Sequence, residues 1–278
     1  MILKENAYAK INLFLDVLDK REDGFHNLLT LMHRVSLYDE ITIECLPSEQ
    51  TTIQIEVDGA ENIPTGADNL VYKAAALYLE TLQRGANITI HLKKHIPSMA
   101  GLGGGSSDAA TVLKLLNKAF YSPLDAGKLH ELALQIGSDV PFFISQNKAL
   151  CSGRGEIFHD VDLPAFEGEI VIVEGKEPSS TGVAFRTLDE DGERVHPTPD
   201  FSSFSFVDVY NAFESVVAKQ CPSVAEHIEV LGKLHPLCVA MSGSGSSVFA
   251  VFQSREEASH AMSQLKALGS SVHLCTFL

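Results

Sequence analysis

Basic residues are scarce in this chain. It carries 21 Lys and Arg against 36 Asp and Glu, a formal net charge of −15 over 278 residues. A nucleic-acid binder needs a broad basic face, so that class is excluded. Long apolar runs are missing too. Nothing approaches the roughly eighteen residues that a membrane-crossing helix needs, so no membrane partner is expected. The N-terminus, Met1-Ile2-Leu3-Lys4-Glu5, places charges where a signal peptide has its apolar core, and it lacks the Arg- and Ser-rich character of a transit peptide. The five cysteines, Cys45, Cys151, Cys221, Cys238 and Cys275, are odd in number and without CxxC spacing. That pattern excludes a disulfide framework and a zinc knuckle, and predicts reduced thiols in a cytoplasmic protein.

What the chain has is glycine in one place. In Pro97-Ser98-Met99-Ala100-Gly101-Leu102-Gly103-Gly104-Gly105-Ser106-Ser107-Asp108, four glycines fall within five residues. A helical stretch, Ala109-Ala110-Thr111-Val112-Leu113, follows at once. Glycine accepts positive φ and lets other groups approach the backbone. A helix start directly behind it offers unpaired N–H groups and the positive end of the helix dipole, which together suit phosphate. A plain strand-to-helix turn needs only one or two glycines. A Walker A loop requires a lysine after its glycines, and none follows here. A dinucleotide fingerprint needs a third small residue in register and an acid about twenty residues on, at a strand end. Ser106 fits the first requirement poorly, and Glu131 lies in a helical stretch. The loop therefore points to a nucleotide of another class. In so acidic a chain, local donors of this kind must overcome the general field.

Periodicity outlines the rest. Residues 7–19, 25–45, 51–57 and 87–94 read as strands, and Asp68-Asn69 caps a helix that follows. Helices are predicted over 107–119 and 125–136, then a break at Gly137-Ser138-Asp139-Val140-Pro141-Phe142-Phe143. Beyond it come a buried strand at 169–173, a loop over 186–204, and helices at 208–218, 222–233 and 255–267. A strand–turn–strand spans 239–252, and a last strand closes the chain. The mixture predicts an α+β protein with a boundary near residue 160, giving domains 1–160 and 161–278.

Several side chains could do chemistry. Lys10, Asn12 and Phe14 share one strand face. Lysine on a strand is commonly just solvated, and Asp139 in its bent segment suits a turn or helix cap equally well. If they meet, a carboxylate can accept a hydroxyl proton while an ammonium keeps it ionised. His26, after Gly24-Phe25, could read the polar edge of a stacked ring, although a lone histidine is more often structural. His91 and His95 stand four apart beside Lys93 and Lys94. Solvation suits them better than a metal, and no metal site is predicted. Ser242-Gly243-Ser244-Gly245-Ser246-Ser247 is a second small-residue turn, either permitting a close approach or simply closing a hairpin.

These segments resemble the GHMP small-molecule kinases, the family of galactokinase, homoserine kinase and mevalonate kinase. Residues 97–110 are similar to that family's phosphate loop, and 239–252 to its C-terminal glycine motif. Ala7-Tyr8-Ala9-Lys10-Ile11-Asn12, Arg21-Glu22-Asp23-Gly24-Phe25-His26 and Gly137-Ser138-Asp139-Val140-Pro141 resemble a branch whose acceptor is an alcohol linked to cytidine diphosphate. The resemblance implies a two-domain fold with the active-site cleft between the domains, and phosphoryl transfer from ATP with Mg²⁺ to a small molecule. It implies Asp139 as base with Lys10 as its cation, residues 98–108 around the ATP phosphates, and Asn12 near the reacting hydroxyl. His26 would bond a cytosine stacked between Phe25 and Phe185, with Thr181 also on the substrate. A monomer and a homodimer are both compatible. The family often has Tyr at position 25, so Phe25 keeps stacking and loses a hydroxyl. It often has Asn at 108, where a carboxylate pointing inward would repel phosphate.

Overall fold

The computed structural model describes residues 1–191 and 196–278. Two compact units emerge. One comprises residues 1–9, 38–96 and 103–147; the other comprises 10–37, 97–102 and 148–278. The chain does not divide at a single point. Two long strands, β1 (Ile2–Lys20) and β2 (His26–Pro47), each contribute to both units, and residue 160 lies inside the second.

In the first unit, the Glu40–Pro47 part of β2 pairs antiparallel with β4 (Ala86–Lys93), and β3 (Thr52–Asp58) pairs parallel with β4. The connection from β3 to β4 runs through α1 (Leu70–Leu82). This helix starts where the sequence predicts, because the Asn69 side chain accepts from the Val71 N–H at 2.8 Å. Next come α2 (Gly104–Ala119), α3 (Ala126–Ile136) and the six-residue α4 (Val140–Ser145). Asp125 caps α3 by accepting from Lys128 N–H at 2.8 Å. α2 begins three residues before the predicted start at 107, because the glycines themselves form its first turn. Its apolar side packs against α1, and Leu113, Leu116, Ala74 and Tyr78 are all fully buried. Each large apolar side chain buried this way contributes about 1.5–3 kcal/mol. The one polar atom on Tyr78 is satisfied, its hydroxyl donating to Asn117 Oδ1 at 3.1 Å. The start of α2 is thus held on a rigid layer.

In the second unit, Leu28–His33 of β2 pair with β5 (Lys148–Gly153), which pairs with β6 (Ile157–His159). A separate four-stranded antiparallel sheet follows, with β7 (Glu169–Val173) central in it. α5 (Thr181–Glu190) comes next, so the loop predicted over 186–204 begins five residues too early. Its Ala184 and Leu188 are buried one turn apart, an apolar stripe that outweighs the acidic residues around it. Residues 192–195 of that predicted loop lie outside the described residues. Then comes β8 (Tyr210–Asn211), which pairs parallel with Phe14 and Leu15 of β1. The helix predicted over 208–218 is therefore confined to α6 (Glu214–Gln220), because strand pairing takes its first residues. α7 (Pro222–Gly232) opens on its proline. The hairpin β9 (Cys238–Met241) and β10 (Val248–Phe252) brackets the second small-residue turn, with Val248 opposite Met241. α8 (Arg255–Ala267) starts in a capping box of Ser254 and Glu257, and β11 (Val272–Thr276) pairs with β7. Val171, Val173, Ala250, Phe252, Val216 and Leu265 are buried in this unit's core.

Candidate active site

The glycine loop is built differently along its length. Its first part, 97–102, is pinned inside the second unit. Lys10 N–H donates to the Leu102 carbonyl at 2.9 Å, and Ser247 N–H donates to the Ala100 carbonyl at 3.2 Å. The Ser242 hydroxyl donates to the Gly101 carbonyl at 3.0 Å. Gly101 has φ of +76°, and a Cβ there would stand 1.9 Å from the Ser242 carbonyl oxygen. Only glycine fits that approach. The turn 242–247 is thus more than a hairpin closure. It is a buttress for the loop, and Asn211 holds it by donating to the carbonyls of Met241 and Gly243 at 2.6 and 2.8 Å.

The second part of the loop becomes α2. Gly103 is its N-cap, with φ of +70° and no side chain to cap the helix. The N–H groups of Gly104, Gly105 and Ser106 have no acceptor within the helix. They form the donor set that an anion requires. Of the other expected loop residues, Met99 is exposed with φ of +55°, while Ala100, Leu102 and Ser107 are buried.

Asp108 does not face such an anion. Its Oδ2 accepts from Lys94 Nζ at 2.7 Å, and Lys94 also donates to Asp39. Asp39 Oδ1 in turn accepts the N–H groups of His95 and Ile96, at 2.5 and 2.8 Å. All three side chains are buried, and Asp108 Oδ1 lacks a hydrogen-bond partner among the described residues. Burial pushes the Asp108 carboxyl up, with Lys94 opposing and Asp39 adding to it. Burial works against the Lys94 charge, but the two carboxylates outweigh it and raise its pKa. The triad ties α2 to the end of β4. Asp108 belongs to the expected phosphate loop by sequence, and its carboxylate is engaged in the interior. Two of its members, Asp39 and Lys94, lie far from Asp108 in sequence and carry no local signal.

On β1, Lys10 Nζ donates to Asn12 Oδ1 at 2.5 Å, Asn12 Nδ2 to Thr30 Oγ1 at 2.8 Å, and Thr30 Oγ1 to the Phe14 carbonyl at 2.7 Å. All three side chains are buried. Strand alternation puts Lys10 and Asn12 side by side, as predicted, and this chain of bonds fixes the ammonium. Gly243 leaves room for it, since a Cβ there would lie 3.3 Å from Lys10 Nζ. Thr30 was not singled out by the sequence.

Asp139 occupies the N-cap position of α4, yet its side chain makes no capping bond. The helix-cap role is therefore not what its carboxylate does, and it is only half-buried.

The aromatic group is arranged around His26. Its ring stacks on Phe185, with centroids 4.6 Å apart and planes 14° apart, and Phe213 packs edge-on against Phe185 at 4.8 Å. His26 Nε2 lies 2.7 Å from Asp189 Oδ1. The flat ring against Phe185 is thus the imidazole itself. Phe25 is 52% exposed, with the Arg154 guanidinium 4.8 Å from its ring centroid. A cation on one face leaves the other face open for stacking. Thr181 meets Ser244, Oγ to Oγ at 2.7 Å, which links the start of α5 to the buttressing turn. His91 lies beside Glu56 and Glu44 at 3.0 and 3.6 Å, and His95 beside Glu40 at 3.3 Å. These are contacts with carboxylates, on β4 for His91 and just beyond its end for His95.

Comparison with known proteins fits these features. The GHMP kinases N terminal domain matches residues 69–147, and the GHMP kinases C terminal domain matches residues 201–271. The chain belongs to the GHMP kinase family, whose members are ATP-dependent small-molecule kinases. Its relatives include the 4-diphosphocytidyl-2-C-methyl-D-erythritol kinase of Caldicellulosiruptor saccharolyticus, 36% identical over 99% of this chain and 96% of that protein. The enzyme of the same name from Methylacidiphilum infernorum is 40% identical over 90% of this chain and 86% of that one. The crystal structure of a 4-(cytidine 5'-diphospho)-2C-methyl-D-erythritol kinase superposes with a TM-score of 0.82, at 31% identity and 99% coverage of both chains.

Proposed function

We propose that this enzyme transfers the γ-phosphoryl group of ATP to the 2-hydroxyl of 4-diphosphocytidyl-2-C-methyl-D-erythritol, a cytoplasmic step of the non-mevalonate isoprenoid pathway. The observation that carries the reading is the presence in one chain of an uncapped helix start behind Gly103 and an imidazole held rigid on Phe185. The first suits a polyphosphate and the second suits a base. Near-full-length identity to enzymes of that name supports the same substrate.

Phosphoryl transfer leaves the protein mainly positioning and charge stabilisation. The N–H groups of Gly104, Gly105 and Ser106 bind phosphate oxygens. Asp139, at the start of α4, accepts the proton of the substrate hydroxyl. Lys10, fixed by Asn12, supplies positive charge that offsets charge on the transferred group. Asn12 thereby acts on the substrate through Lys10 as well as beside it. His26 bonds the polar edge of cytosine, Phe25 offers it an exposed face, and Thr181 and Phe185 complete the substrate side. Mg²⁺ would come with ATP, held by phosphate oxygens and water.

The test couples ADP formation to added alcohol. Turnover with 4-diphosphocytidyl-2-C-methyl-D-erythritol, and none with homoserine or mevalonate, is expected. Turnover of homoserine or mevalonate in preference to the cytidyl alcohol would overturn the reading.

A further inference from the structure

The helix α5 does something to His26 that the proposed reaction does not by itself require. Phe185 and Asp189 stand four residues apart, one turn of helix, and so share a face. Phe185 covers the flat side of the imidazole, and Asp189 Oδ1 meets its Nε2 at 2.7 Å. The imidazole side chain is only 7% exposed, so it cannot turn away without breaking both contacts. One element therefore fixes both the plane of the ring and its rotation within that plane.

We propose that Asp189 is a specificity-determining positioning residue: it selects the His26 tautomer that accepts a hydrogen bond, so the pocket takes an aminopyrimidine and refuses its oxo counterpart. This rests on the reading that His26 faces the base of the substrate.

An ionised carboxylate can only accept hydrogen bonds. The hydrogen bond from Lys20 holds the Asp189 carboxyl below the usual range, and the contact with His26 adds to this. Opposite such a group, Nε2 must carry the proton. Asp189 uses its two oxygens separately, since Oδ2 accepts from Lys20 Nζ at 2.8 Å. Lys20 already supplies a countercharge, so the carboxylate does not require the imidazole to be cationic. In the neutral ring with hydrogen on Nε2, Nδ1 is an acceptor. Nδ1 makes no hydrogen bond to any described residue. The 4-amino group of cytosine is a donor and pairs with it. The 4-oxo group of uracil would set lone pair against lone pair.

Removing a matched polar contact, or opposing two acceptors, costs on the order of ten- to a hundredfold in kcat/KM. Asp189→Asn keeps the size and offers an amide N–H₂ to Nε2, which allows the proton to move to Nδ1. The full-length enzyme and this variant are compared with the cytidyl substrate and its uridyl analogue at saturating ATP. The nitrogen resonances of His26 are read by ¹⁵N NMR in each. Wild type is expected to favour the cytidyl substrate, with its proton on Nε2. Asp189→Asn is expected to lose about tenfold or more of that preference through KM, with kcat for the cytidyl substrate and the KM for ATP held near wild type. A general structural defect would lower both substrates together and leave their ratio intact. A wild-type proton on Nδ1 overturns the proposal, whether or not the variant folds. So does an unchanged ratio in a folded variant whose wild type discriminates, and in that case His26 still reads the base. If wild type turns over both substrates equally, the base-reading role of His26 fails first.

Discussion

Ser242 donates its hydroxyl to the carbonyl of Gly101 across 141 residues of sequence, and Gly101 returns the contact by having no side chain. Two small-residue segments, each ambiguous alone, are halves of one arrangement. A glycine loop must be soft enough to wrap a ligand and stiff enough not to collapse without one. Here the stiffness comes from the turn 242–247.

Gly101→Ala should therefore be severe. Its Cβ would meet backbone, which cannot rotate aside, and the left-handed conformation alone costs about 1–2 kcal/mol. Gly24→Ala is the matched control. It has φ of +86° and nothing within 4 Å of the added atom, so it carries the strain without the collision. Melting curves and calorimetric titration with a non-hydrolysable ATP analogue separate the two. We expect Gly24→Ala to lose only about 1 kcal/mol of stability, and Gly101→Ala to lose more, with ATP affinity down about tenfold or beyond. Equal losses in both variants would mean that the buttress is unimportant.

Asp139→Asn keeps the shape of the side chain and removes the proton acceptor. Turnover should fall by about a hundredfold or more while ATP affinity stays within about twofold. Near-normal turnover would remove Asp139 from the chemistry.

The Asp39–Lys94–Asp108 triad predicts a strong and partly reversible defect. Lys94→Met strands two buried carboxyl groups that share one cation and should cost about 3–5 kcal/mol, the range for breaking a buried ion pair from one side. Adding Asp108→Asn removes one of the stranded carboxyls and should recover part of the loss. Chemical denaturation of the single and double variants gives the coupling. Additive losses would show that the three groups do not act as a unit.

Burial lowers the pKa of His227 below its ordinary value of 6.5. The unfolded chain therefore binds this proton more readily than the folded protein does. The stabilisation is complete above the unfolded value and is lost as pH falls from there through the folded one. His227→Gln retains a group able to bond the Ser270 hydroxyl, which lies 3.0 Å from Nε2. Between about pH 7 and pH 5 its melting temperature should fall less than that of wild type. Parallel curves would assign the acid sensitivity elsewhere, for example to His33, which burial shifts in the same direction.

Features written in local chemistry were legible in the sequence. The cap at Asn69 and the loop glycines act on residues within a few positions of themselves. The alternation on β1 was enough to pair Lys10 with Asn12. What could not be read is what depends on distant segments. Asp189 meets His26 from 163 positions away, and nothing around it distinguishes it from other acids near the end of α5. Asp108 looked like a phosphate-loop residue because its neighbours are, and only the folded position of Lys94 turns its carboxylate inward. Tyr210 and Asn211 lie next to a helix and read as part of it, until the edge of β1 claims them. In each case tertiary contacts overrode a reasonable local reading.

The interleaving of the strands has a consequence for how the protein is made. Phe14 pairs with Tyr210, and Leu28 to His33 pair with the far side of residue 148. Those N-terminal stretches leave the ribosome early and wait for partners synthesised much later. A topology with such separations folds slowly, because loop closure comes before the contacts that reward it. Until then, apolar strand surface such as Leu15 and Val17, which is buried against the later part of the chain, lies open to other nascent chains. A chain stopped near residue 147 would never bury it. For this enzyme, yield in the cell should depend on chaperone capacity and synthesis rate at least as much as on the stability of the finished fold.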